Sequence, residues 1–112
     1  MIEEKEYSPH EAINYIYNNR TAYAQAKGEL AQLEVYKSSL KAIMMKKSGE
    51  QSLGGQEREA YASEEYVNLG HAIGEATART EEYKWALEAA KMRFQAWQTE
   101  SANNRQLEKF TV

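Results

Sequence analysis

The residue types that do chemistry are present in this chain, but they do not gather. His10 and His71 are its two histidines. An imidazole can bind zinc or move a proton, but a metal site needs three or four ligands at defined spacing. His71 has Glu75 four residues on; His10 has no such neighbour downstream. All 17 acidic residues are glutamate. Paired carboxylates can divide acid and base roles when they face one another. The pairs Glu64-Glu65 and Glu81-Glu82 are adjacent in sequence, so on a helix they point to different sides. The Glu-x-x-His pattern of di-iron bundles is absent, as are a nucleophile elbow and a glycine-rich phosphate loop. With no cysteine there is no thiol nucleophile, thiolate metal site or disulfide. The expectation is a non-enzymatic protein with no catalytic, cofactor-binding or metal-ligating residues.

One cluster pairs aromatic with basic residues: Tyr15, Tyr17, Arg20, Tyr23 and Lys27. Such a mixture can stack and neutralise single-stranded nucleic acid. The competing account is that tyrosines line the margin of a helical interface, ring inward and hydroxyl outward. The net charge of −3 favours the interface account, because nucleic-acid binders are normally basic. Residues 8–47 carry six Lys/Arg against three Glu, and residues 48–112 seven against eleven. Opposite signs of this kind let two helices lie side by side. Any nucleic-acid contact is therefore expected to be weak or indirect.

The elements that hold these residues are helices. One proline, six glycines and no aspartate leave few turn formers, while Ala, Glu, Gln, Lys and Leu are abundant. "SPHE" starts the first helix: Ser8 is an N-cap, Pro9 suits the first helical position, and Glu11 completes a capping box. Tyr7 and Ala12 occupy the staple positions. The helix is expected over about 8–47, with Ile16, Tyr23, Ala26, Leu30, Leu33, Leu40 and Met44 along its seam. Asn19 and Lys37 interrupt that seam, and Ile13, Tyr36 and Ile43 widen it. A loop is expected over about 48–56, with Gly49 closing the helix and Gly54-Gly55 turning the chain. "QEREAYA" could form a separate helical turn, with Ser63 capping a new start.

The second helix, about 57–105, carries the clearest pattern. Tyr66, Leu69, Ile73, Ala76, Thr80, Tyr83, Leu87, Ala90, Phe94, Trp97 and Ser101 recur at alternating steps of three and four. That heptad repeat implies a left-handed supercoil. The fold class expected is all-α: one domain, a long antiparallel, coiled-coil-like helical hairpin that oligomerises into a helical bundle. Leu30 should lie near Ala76 and Ile16 near Ala90. Gly28 should meet the "GHAIG" stretch in a close helix approach, unless Gly70 and Gly74 mark a bend. Residues 106–112 are expected to be a flexible tail.

If the seam faces the first helix, Trp85, Ala89, Met92 and Ala96 face away as a second apolar stripe. A two-helix hairpin cannot cover it. The expected partner is another copy, with a dimer favoured; a partner helix from a different protein is the alternative. Trp85 as a base-stacking platform is disfavoured by Glu81, Glu82 and Glu88 around it.

"REAYASEEY" followed by "EEYKWALEAAKMRFQAWQTESANNR" resembles a type of uncharacterised small, wholly helical protein encoded in early regions of tailed phages and prophages. Genes for these proteins often sit beside those for single-strand annealing and single-stranded DNA-binding proteins. The resembling part is roughly residues 57–105. Gly70 and Gly74 depart from the regular helix the resemblance leads one to expect. No catalytic residues come with it. It implies a host-cytoplasmic phage protein with an accessory role in recombination or replication, acting on a phage or host DNA-processing protein. Direct single-stranded DNA binding and a structural or morphogenetic phage role are the alternatives. No apolar run approaches the roughly 20 residues that span a bilayer, and the acidic "MIEEKEY" start is unlike a signal peptide, so no membrane partner is expected.

Overall fold

Serine side chains set where the helices of this chain begin. The computed structural model describes residues 8–110. Ser8 Oγ accepts a hydrogen bond from the Glu11 amide at 3.2 Å and opens α1, Pro9–Lys47. Ser52 Oγ accepts from the Gly55 amide at 3.0 Å and opens α2, Leu53–Ala62. Ser63 Oγ accepts from the Tyr66 amide at 3.2 Å and donates to the Ala60 carbonyl at 2.7 Å. It thereby ends α2 and starts α3, Glu64–Phe110. Each hydroxyl satisfies an amide that the first turn of a helix would otherwise leave without a partner. Glu64 and Glu65 add negative charge at the positive end of α3. No strand occurs among the described residues. The protein is all-α, as its composition and periodicity require.

Several sequence expectations need correction. Helix does not wait until residue 57: α2 begins at Leu53 and takes Gly54 and Gly55 into its first turn. Gly55 is buried there, and a Cβ on it would lie 2.9 Å from Ser52 Oγ and 3.0 Å from Glu50 Cβ. Glycine is needed at this position for close approach rather than for turning. Gly49 does not close α1 by a left-handed residue, since no described glycine has positive φ. Helix α3 runs on to Phe110, so residues 106–110 are not an irregular tail; residues 111 and 112 lie outside the described residues. The staple position Tyr7 also lies outside them. Gly28, Gly70 and Gly74 have open space where a Cβ would sit, so the close helix approach is not made at the glycines. Helix α3 also continues unbroken through Gly70 and Gly74.

Contacts divide the chain into two compact units, Tyr23–Glu81 and Met1–Ala22 with Glu82–Val112. In the first, α1 and the α2–α3 arm run in opposite directions. Arg79 pairs with Glu29 at 3.1 Å, Lys41 pairs with Glu57 at 3.8 Å, and Ser48 Oγ lies 2.5 Å from Glu59 Oε2. The Glu29–Arg79 pair falls within a turn of the expected Leu30–Ala76 match. Ala26, Leu40, Ala60, Leu69, Ala76 and Thr80 are buried. Thr80 satisfies its hydroxyl by donating to the Ala76 carbonyl at 2.7 Å, so a polar seam position costs no lost hydrogen bond. Small side chains dominate this core, which brings the helix backbones together. Tyr36 and Ile43, read as widening the seam, stay exposed.

In the second unit Ala12 and Ala90 are buried, and Tyr83, Leu87 and Phe94 are half-buried along the predicted seam. Trp97 departs from it, remaining 41% exposed while stacked on Phe94 with ring centroids 6.0 Å apart. Ile13, the third residue read as widening the seam, is exposed here too.

Candidate interaction surface

Two features of the unit containing Glu82–Val112 could hold a partner. The first is a groove of about 380 Å3 between α1 and α3. Ala12, Ala86, Ala89 and Ala90 line it with methyl groups, and Glu11, Tyr15 and Arg93 complete its walls. Its α1 wall lies within residues 11–15 and its α3 wall within residues 86–93, in the neighbourhood of the expected Ile16–Ala90 match. Its titratable groups are one carboxylate, one guanidinium and one phenol.

The second feature is the outer stripe of α3. Trp85 is 59% exposed and Met92 53% exposed, and Ala96 is exposed as well. Ala89 behaves differently from the expectation. It is half-buried because it also borders the groove, so it lies at the edge where the stripe meets the groove. The stripe is also longer than the sequence reading made it. Leu107 is 63% exposed and Phe110 86% exposed, and both project on the Trp85 side of the helix at 100° per residue. Continuing the spacing 85, 89, 92, 96 by alternating steps of three and four gives 99, 103, 106 and 110. These are Thr99, Asn103, Gln106 and Phe110. That arithmetic could have found Phe110 from the sequence; assigning residues 106–112 to a tail concealed it. Thr99 Oγ1 donates to the Gln95 carbonyl at 3.2 Å, which satisfies its hydroxyl within the helix. Lys84 Nζ lies 5.7 Å from the Trp85 ring.

Within the unit that holds them, the aromatic residues Tyr15 and Tyr17 do not share a face. Tyr15 and Tyr17, two residues apart on a helix, project roughly 200° apart. Tyr15 lines the alanine groove. Tyr17 lies beneath the Arg20 guanidinium, 3.7 Å from its ring centroid, and Arg20 also donates to the Tyr17 carbonyl. Tyr23 and Lys27 belong to the other unit, with Lys27 Nζ 6.0 Å from the Tyr23 ring. Tyr23 is half-buried in the helix seam. These geometries are those of lysine and arginine covering neighbouring rings of their own helix.

The histidines also stay apart, His10 near the start of α1 and His71 on α3, each exposed. No group of three or more His, Cys, Asp or Glu among the described residues could hold a metal ion. No helix among them is long and apolar enough to cross a membrane. No family model, curated protein or solved structure matches this chain.

Proposed function

We propose that this protein is a non-enzymatic helical interaction module that works by docking the outer stripe of α3 on another protein surface. One observation carries the reading. Trp85, Met92, Leu107 and Phe110 are large, exposed and aligned on one helix face. Single exposed apolar residues are ordinary on any protein surface. Four on one face, spread over about 38 Å of helix, form a patch of the kind that marks a binding surface. Helix-in-groove recognition uses anchors at this spacing.

The biological setting comes from the sequence resemblance alone. It makes the protein a phage accessory factor in recombination or replication, acting in the host cytoplasm on a phage or host DNA-processing protein. An acidic helical protein in that setting would bind the basic or apolar surface of the machinery and leave DNA to its partner. Direct single-stranded DNA binding is the competing reading. Against it, the Tyr17 ring is already covered by Arg20, and the other aromatic residues of the cluster lie on other faces or in the seam. A structural or morphogenetic phage role is the third.

The test is a titration of the purified protein against single-stranded oligonucleotides at low and physiological salt. It is done with and without a phage annealing or single-strand-binding protein. The proposal expects weak binding to bare DNA that disappears at physiological salt, and binding to the protein partner that persists there. Salt-resistant binding to bare DNA that falls when Tyr17, Arg20 and Lys27 are replaced would overturn it. Binding to neither would leave the structural role standing.

A further inference from the structure

We infer that the outer stripe of α3 pairs with the same stripe of a second copy, antiparallel, about a two-fold axis near residue 97. The inference rests on the reading of α3 as an interaction surface and names its occupant. Its first ground is the repeat. Trp85, Ala89, Met92, Ala96, Thr99, Asn103, Gln106 and Phe110 are spaced 4, 3, 4, 3, 4, 3, 4, a second heptad seam on the side of α3 opposite the first. A 3.5-residue repeat keeps facing a partner helix over many turns when the two wind into a left-handed supercoil, whereas a stripe for a small ligand has no need of it.

The second ground is size matching under two-fold symmetry. In an antiparallel pair centred there, each seam residue meets a residue whose number brings the sum to about 195. Trp85 then meets Phe110 of the second copy, Ala89 meets Gln106, Met92 meets Asn103 and Ala96 meets Thr99. The small residues fall at the axis, where helix backbones come closest, and the aromatic residues clamp the two ends. Thr99 presents its methyl group there because its hydroxyl is bonded within its own helix. Asn103 opposite Met92 and Gln106 opposite Ala89 are the two poor matches; a polar residue at such a seam lowers affinity and fixes register.

The third ground is charge. Arg93 and Glu100 flank the stripe on one side, Glu88 and Lys109 on the other. At this register Arg93 of each copy lies near Glu100 of the other, and Glu88 near Lys109, so every pair forms twice. A slip of one heptad one way brings Arg93 opposite Arg93 of the second copy. A slip the other way brings Glu100 opposite Glu100. Like charges in both wrong registers, and opposite charges in the right one, select a single pairing.

The native chain has no cysteine, so cross-linking can read the register directly. Ala89→Cys and Gln106→Cys are made as separate full-length chains, and circular dichroism checks that each stays helical. Mixed under mild oxidation, the two should form a disulfide-linked dimer, while neither forms one alone, since 89 and 106 are separated by about 25 Å along the helix. Independently, Glu100→Arg should weaken self-association at least about tenfold at low salt, and Arg93→Glu with Glu100→Arg should restore it. Self-linking of each variant alone would establish a parallel pairing and overturn the inference. A single-chain mass with no cross-link in any mixture would overturn it too. In that case the stripe remains free for a different protein, and the DNA and partner titrations above decide that reading separately.

Discussion

Gly55 shows how one residue can be indispensable for a reason that its type does not reveal. Its missing Cβ would collide with Ser52 and Glu50 in the cap of α2. Gly55→Ala should lower stability by about 1–3 kcal/mol, the cost of overpacking. Gly54→Ala, one residue earlier and with open space around it, should raise stability by about 0.5–1 kcal/mol through its helix preference. Thermal denaturation of the two variants side by side reads the difference. Both glycines had the look of turn formers in the sequence, because a Gly-Gly pair after a helix signals a turn. Only the Ser52 cap separates their roles. Ser63 was legible, since a serine followed by two glutamates is a capping pattern, and Ser63→Ala should cost about 1 kcal/mol. Lys41 adds a pH dependence. Its ammonium is held above the usual lysine range first by a hydrogen bond with Tyr61 and then by the nearby charge of Tyr61 and Glu57, against desolvation. A raised lysine pKa stabilises the folded state below the ordinary lysine value and loses that effect as pH climbs through the raised one. Lys41→Met should therefore flatten part of the alkaline fall in stability, seen by denaturant titration from about pH 10 upward.

At the scale of elements, the heptad steps of three and four told most of the truth. From Tyr66 through Phe94 each position of the α3 seam is buried or half-buried, because a 3.5-residue repeat leaves a side chain no other place to go. The matching residues of α1, from Ile16 to Met44, behave alike apart from Lys37. Register was less legible. Alanine tolerates several matches at similar cost, so its spacing alone does not fix one. The end of α3 was misread for a different reason. "QTESANNRQLEKF" is polar enough to suggest fraying, yet it contains no glycine or proline to stop a helix. The outer apolar stripe was legible in its first half and hidden in its second by that same polarity. The α3 stripe can be tested as an element. Trp85→Glu with Met92→Glu should leave helix content intact while abolishing association, since a carboxylate in a closed apolar contact loses hydration without gaining a partner. Ala78→Glu, also exposed on α3, should leave association unchanged; gel filtration compares the two.

The whole chain carries a net negative charge, and the core among its described residues is largely alanine. Burial among the described residues reaches Leu40 and Leu69 but no aromatic side chain, while fourteen large apolar residues stay exposed. A chain of 112 residues with so small a core gains from every further apolar contact that assembly provides. Its stability should therefore rise with protein concentration. The sequence showed two apolar faces on one helix in outline, while exposure of the individual side chains had to come from the structure. Sedimentation velocity of the native chain beside the Trp85→Glu, Met92→Glu variant, at tens of micromolar and physiological salt, tests the central claim. The account predicts a native species of at least two chains and a variant of one chain with the same helical circular dichroism. A native protein that sediments as a single chain, indistinguishable from the variant, and that binds no protein partner through α3 would contradict it.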